Sequence, residues 1–150
     1  MTDPDAELPS WDFRRRTITA SEALLRILNK AVSTYGSDLD IFVVFLTVTC
    51  ASTSSAVRNA ELAAEPPAGH VPVGYYRGIS RRAIAASTGL PRETVRRKIA
   101  ALIERGDVVE HGAYVRIRQG LLEQEHHLGF ARTMIHEFVR GAAELSRIPQ

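Results

Sequence analysis

The chain has 150 residues, 45% of them hydrophobic, with 19 Lys/Arg against 17 Asp/Glu and a formal net charge of +2. That length supports one globular core with extensions rather than two domains. The single cysteine, Cys50, excludes an internal disulfide framework and suits a reducing compartment.

The small net charge hides a division. The window Tyr76 to Arg118 carries ten Lys/Arg against four acids, a local charge of +6, whereas the remainder carries nine against thirteen, or −4. One basic surface on an otherwise acidic chain is the electrostatic footprint of a phosphate partner.

In chain order, residues 1–16 hold two prolines and scattered acids without a period, which predicts a flexible arm anchored by Trp11 and Phe13. Arg14, Arg15 and Arg16 do not begin an export signal, because Glu22, Arg26 and Lys30 interrupt the segment that follows. Residues 17–64 predict N-terminal helices serving as core and dimerisation unit. Thr19 and Glu22 have capping-box spacing, Leu24, Leu28, Ala31 and Tyr35 share one face, and Gly36 fits the stop. Ser37 or Asp38 can cap a second helix reaching about Leu62. It is apolar along Leu39, Phe42, Val43, Leu46, Cys50 and Val57, and again on the opposite side along Ile41, Phe45 and Val48. Such a helix must be covered twice, either within one chain or by another subunit. Cys50 reads as a small core residue, and the Ser/Thr-rich run from Thr47 to Ser55 marks a place for a bend or break. The most apolar stretch, Ile41 to Val48, falls well short of the ~20 residues that span a bilayer. A soluble, cytoplasmic, nucleoid-associated protein with no membrane partner is therefore expected.

Three prolines between Glu65 and Pro72 exclude a helix, so residues 65–74 read as a linker. Residues 75–118 then have the pattern of a winged helix-turn-helix. Ser80 stands at an N-cap, Ile84 and Ala85 face inward, and Gly89 marks the turn. Pro91 is tolerated at the start of a second helix over about 91–105, whose buried side is Leu90, Val95, Ile99 and Leu102. The opposite side presents Arg92, Glu93, Thr94, Arg96, Arg97 and Lys98. The opening turns of such a helix meet base edges, where arginine bonds guanine in bidentate fashion and glutamate accepts from cytosine N4. An acid in a first helical turn is equally favoured by the helix dipole, which leaves Glu93 with two readings. Asp107 to Ile117 predicts a hairpin with a His111-Gly112 turn as the wing tip, and Arg116 and Arg118 are placed to reach phosphate.

Residues 119–150 predict a long helix from Gln119 to Ser146. Its residues Leu128, Ala131, Ile135, Phe138, Ala142 and Leu145 form an a/d seam that requires a partner helix. Gly129 and Gly141 each cost about 1 kcal/mol within it, so packing must compensate. Either homodimerisation or an intramolecular bundle satisfies the seam. The expected fold class is thus mainly α with a small β-hairpin, a winged helix-turn-helix flanked by N- and C-terminal helices.

The run ISRRAIAASTGLPRETVRRKIAALIERGDVV resembles the winged helix-turn-helix of bacterial transcription regulators. It is most similar to the cyclic-AMP-receptor-protein/Fnr and GntR groups over Gly89 to Arg97, within a helical plan similar to MarR-like dimers. The resemblance implies that Arg92, Glu93 and Arg97 read bases and that Ser80 and Thr94 touch phosphate. Arg81, Arg82, Arg96, Lys98, Arg116 and Arg118 complete the expected phosphate set. Nothing upstream resembles a cyclic-nucleotide β-barrel, and Pro91 stands where a capping Ser or Thr is common, so cyclic-nucleotide sensing is not implied.

Glu123, Glu125, His126, His127 and His136 do not complete a tetrahedral set, and no nucleophile elbow or phosphate loop is present. No metal, cofactor or enzymatic activity is expected. The expected function is sequence-specific double-stranded DNA binding by a homodimer joined through its N- and C-terminal helices, with any small-molecule effector unassigned. The alternative is a winged protein-interaction adaptor that does not read DNA sequence.

Overall fold

The computed structural model describes residues 9–64 and 71–149. Ser10 sets the first boundary: its hydroxyl accepts the Phe13 N–H at 3.1 Å, and Asp12 lies in the first turn where the helix dipole favours an acid. Helix α1 (Trp11–Tyr35) therefore begins at Trp11 rather than Thr19, and Trp11 to Arg16 are helical instead of part of an arm. Of the rest of the expected arm, residues 1–8 lie outside the described residues, as do residues 65–70 of the linker.

Asp38 is the second cap, accepting from the Ile41 N–H at 3.3 Å at the start of α2 (Leu39–Val57). No break appears at its Ser/Thr-rich run, which is helical throughout. Thr47, Thr49 and Thr53 donate to the carbonyls four residues back at 2.8, 2.9 and 2.9 Å, so their hydroxyls are satisfied without leaving the helix. The helix ends at Val57, short of Leu62, and a separate short α3 (Ala60–Ala64) follows. By length and mean hydropathy, 1.6, α2 is sufficient to cross a bilayer, which Ile41 to Val48 alone does not indicate. In this fold it packs against α1, against the sheet and against the two helices of the helix-turn-helix. The side carrying Ile41, Phe45 and Val48 is thus buried by the same chain, whereas on the other stripe Phe42 is buried but Leu39, Val43 and Val57 are 41%, 41% and 78% exposed. Cys50 is exposed, not core, because it lies on the side of α2 that also leaves Leu39, Val43 and Val57 in solvent.

After a 3-10 turn at Val73–Tyr75 come β1 (Ile79–Ser80), α4 (Arg81–Thr88), α5 (Arg92–Glu104), β2 (Val108–His111) and β3 (Tyr114–Ile117). A second 3-10 turn, Leu121–Glu123, precedes α6 (Glu125–Ser146), so the last helix starts later than Gln119. The fold is mainly α with a small antiparallel sheet, and the sheet has one strand more than the hairpin expected. The order is β1-β3-β2, with Ile79 opposite Val115 and Val108 opposite Ile117. Two residues of β1 are too short for an alternation to signal them.

The core runs from an aromatic cluster to the helix-turn-helix. Tyr35, Phe42, Phe45 and Phe130 place ring centroids 5.0–5.5 Å apart, tilted or edge-on. Ile84, Val95, Ile99, Leu102 and Val115 are fully buried beneath them. Ser52 of α2, also fully buried, accepts the Ile117 N–H at 3.1 Å, so this serine secures the sheet to the central helix.

Helices α1 and α6 pack along one another. The buried face of α1 is Ala23, Ile27, Ala31 and Tyr35, and Leu24 of the expected face is 55% exposed. On α6 the buried residues are His127, Phe130, Glu137 and Gly141. Arg26 donates to Glu137 at 2.6 Å, and this bond holds the Glu137 carboxyl below its ordinary value. Gly141 compensates for its poor helix propensity by close approach: a Cβ there would lie 3.1 Å from the Ala23 Cβ. Gly141→Val is accordingly expected to push α1 away and cost about 1–3 kcal/mol of stability, read as a lower urea midpoint. An unchanged midpoint would mean the two helices are not held this closely.

The seam Ile135, Phe138 and Ala142 does not face α1. Ile135, Phe138 and Val139 are 60%, 63% and 66% exposed. Helix α6 therefore satisfies an intramolecular packing with one face and leaves an apolar face uncovered.

Candidate nucleic-acid interface

Helix α4 is capped as the sequence predicts, with the Ser80 hydroxyl accepting the Ala83 N–H at 3.2 Å. The turn between α4 and α5 needs a left-handed residue. Gly89 supplies it at φ 71°, its N–H bonding the Ala85 carbonyl at 3.0 Å. Thr88 braces the same turn, donating to Ile84 at 2.8 Å and accepting from the Leu90 N–H at 3.3 Å. Pro91 occupies the N-cap of α5 with φ −56°, and its carbonyl receives the Val95 N–H at 3.0 Å.

Burying Val95, Ile99 and Leu102 fixes the rotation of α5. Arg92, Glu93, Arg96 and Arg97 are consequently exposed, and Thr94 is half-buried beside them. Arg92, Arg97 and the α4 residue Arg82 have no ion pair among the described residues, so their guanidinium groups stand ready for an anion. Glu93 is engaged differently: Arg96 grips it with two bonds of 2.9 and 2.6 Å, which hold its carboxyl below its ordinary value. Arg96 is correspondingly part-neutralised, and a base contact by Glu93 would have to share or break this pair.

Three further members of the expected phosphate set have partners. Arg81 pairs with Glu110, joining α4 to the wing. Lys98 pairs with Asp38 at the start of α2, and its side chain is only 16% exposed. It acts as a strut between α5 and α2 rather than as part of the exposed face. Arg116 lies 5.7 Å from the centre of the Tyr76 ring, half-buried. Arg118 remains exposed and donates to the Gly106 carbonyl at 3.4 Å across the base of the hairpin.

The wing tip differs by one residue from expectation. His111 pairs with Tyr114, which makes Gly112 and Ala113 the turn residues. Gly112 has φ 61°, as the first central position of a type II′ turn requires. His111 belongs to the strand, exposed beside Tyr114.

Behind the interface lies a buried polar chain that sequence reading missed. His127 Nε2 is 3.0 Å from Asp107 Oδ1, and His127 Nδ1 is 2.9 Å from the Tyr35 hydroxyl. A carboxylate can only accept, so Nε2 donates to Asp107, and in the neutral imidazole Nδ1 then accepts from the Tyr35 hydroxyl. Burial pushes the Tyr35 phenol well above its ordinary value, with the Asp107 charge adding to it, so the hydroxyl stays a donor. Arg105 Nε lies 3.1 Å from Asp107 Oδ2 as an ion pair whose angle falls short of a hydrogen bond. The partners are 20 and 92 residues apart in sequence, so no local spacing announces them.

Asp107 is also a structural joint. Its N–H bonds Leu102 of α5 at 2.9 Å and its carbonyl receives Arg118 N–H at 3.0 Å. Donor atoms of Asp107, His126 and His127 lie within 4.8 Å of one another, the one grouping of metal-ligating type formed among the described residues. Both His127 nitrogens are already engaged there, whereas Glu123 and Glu125, the acids considered with the histidines in sequence, do not join it.

No known family model, characterised protein or solved structure matches this chain.

Proposed function

We propose that this chain is a sequence-specific double-stranded DNA-binding regulator of transcription, a cytoplasmic, nucleoid-associated protein without enzymatic activity. It places the opening turns of α5 in the major groove. The observation that carries the reading is the exposed pair Arg92 and Arg97, without an ion pair among the described residues, on a helix whose rotation is fixed by its buried side. Arg92 and Arg97 read bases, Glu93 joins them if Arg96 turns to phosphate, and Arg82, Arg118 and Thr94 meet the backbone. Lys98 acts as the strut instead, and Arg81 reaches phosphate only by releasing Glu110.

A homodimer fits this role. Trp11, Ile18, Leu25 and Val32 recur every seven residues along α1 and are 71%, 57%, 57% and 39% exposed, away from the face packed on α6. Ile135, Phe138 and Val139 on α6 are likewise exposed, and an apolar helix face of this kind marks an association surface. A second copy would cover that surface and present two α5 helices to successive major grooves.

The test is equilibrium binding to short duplexes across salt. The affinity should fall steeply, with a slope near −0.9 per phosphate neutralised. Arg92→Ala and Arg97→Ala should each cost a preferred duplex about 10–100-fold, as the loss of a bidentate base contact of about 1–3 kcal/mol implies, and cost a random duplex much less. Salt-insensitive capture of a protein partner, with no shift of any duplex, would favour the adaptor reading instead.

A further inference from the structure

Between α2, α6 and the base of β3 lies a cavity of about 390 Å³. Phe45, Ile117, Leu121, Phe130 and Met134 give it apolar walls, and Tyr35 and His127 form part of its lining. Those last two residues are the near end of the buried chain to Asp107, whose own backbone joins α5 to the wing. The cavity thus borders the joint that sets the recognition helix against the hairpin.

Its chemistry limits the occupant. The size lies within the range of small-molecule sites. Among the described residues no Lys or Arg lines it, and the one formal charge there is Glu123, so an anion would enter without compensation from them at high cost. Aromatic rings from Tyr35, Phe45, Tyr76 and Phe130 favour a flat guest. The hydroxyls of Thr49 and Thr53 already donate to their own helix and offer only acceptor capacity. Leu46, Thr49, Thr53, Ala131 and Met134 are half-buried, so this side of the cavity opens toward solvent.

We propose that this cavity binds a neutral, flat, mainly apolar small molecule, and that occupancy is transmitted through Tyr35 and His127 to Asp107 at the joint between α5 and the wing. Binding and its effect on the joint stand on the geometry alone. Only the consequence for DNA rests on the function proposed above.

The probe is N-phenyl-1-naphthylamine, a neutral fluorophore, compared with 1-anilinonaphthalene-8-sulfonate, the same skeleton bearing an anion. The neutral probe should saturate at one site per chain, with the sulfonate weaker by about tenfold or more. Thr49→Phe and Ala131→Phe fill the cavity from two different helices, and each should abolish binding while circular dichroism shows a folded chain. The apolar α1 and α6 faces are the competing site, so Ile135→Asp with Phe138→Asp, which also separates the proposed dimer, should keep one saturable probe site per chain, and adding Ala131→Phe to it should abolish that site. Loss of binding in the double-aspartate variant, survival in both filled variants, or no saturable binding would overturn the site. Hydrogen exchange without DNA reads the transmission. The probe should slow the amides of residues 105–110, and slowing confined to α2 and α6 would overturn the link. Failure of DNA binding would leave both of these results standing, which separates the two proposals.

Discussion

The double substitution Ile135→Asp with Phe138→Asp is expected to convert a dimer into a folded monomer and to weaken binding to a two-half-site duplex at least about a hundredfold. Both side chains are more than half exposed in the single chain, so replacing them removes little packing from the monomer. In a two-fold dimer each would be buried twice, and each fully buried apolar side chain contributes about 1.5–3 kcal/mol. Four charged replacements facing one another add repulsion and desolvation. Sedimentation at several concentrations reads the change in mass, and thermal melting shows that the monomer remains folded. Binding to a single half-site should change much less, because the effective concentration of the second recognition helix is what is lost. An unchanged mass would place the dimer elsewhere or deny it.

Asp107→Ala carries the largest expected cost in stability of any single substitution near the interface. It strips His127, 1% exposed, of the acceptor for its Nε2–H and strips Arg105 of its carboxylate. A buried donor left without a partner costs about 1–3 kcal/mol, and breaking a buried charge pair about 3–5. Arg105 keeps 32% of its side chain in solvent, which argues for a total near 3 kcal/mol. In a chain of 150 residues this lowers the melting temperature by about 6–12 °C. Asp107→Asn retains volume and an oxygen acceptor for His127, so its loss should be about half as large. Equal melting of the alanine variant and the parent would show that the chain of bonds from Tyr35 to Arg105 does not hold the joint.

The parts of this fold that local chemistry dictates were readable without coordinates. Ser80, Ile84, Gly89, Val95, Ile99 and Leu102 lie within one short stretch, where cap, turn and buried stripe follow from backbone requirements. The misplacements share a different cause, which is competition between two acceptable local signals. Thr19 and Glu22 form a good capping box on paper, but Ser10 and Asp12 begin the helix earlier and leave that box in mid-helix. Helices α1 and α6 each carry more apolar residues than one face can use, so periodicity alone did not reveal that Ala23 and Gly141 meet rather than Leu24 and Ile135.

The candidate interface divides in the same way. Exposure of Arg92, Glu93, Arg96 and Arg97 follows from the buried side of the same helix. The engagement of Lys98 by Asp38 and of Arg81 by Glu110 depends on residues far away in sequence. A basic residue on a recognition helix is thus legible as a candidate, and its freedom to meet phosphate is a tertiary property.

Selection of binding sequences from a pool of random duplexes at low salt tests the central claim most directly. The account predicts enrichment of a two-fold sequence whose half-sites are about one helical turn apart. It also predicts that the information within each half-site falls at defined base pairs when the selection is repeated with Arg92→Ala or Arg97→Ala. A folded protein that enriches no sequence, or that enriches the same sequence equally well without those arginines, would contradict it.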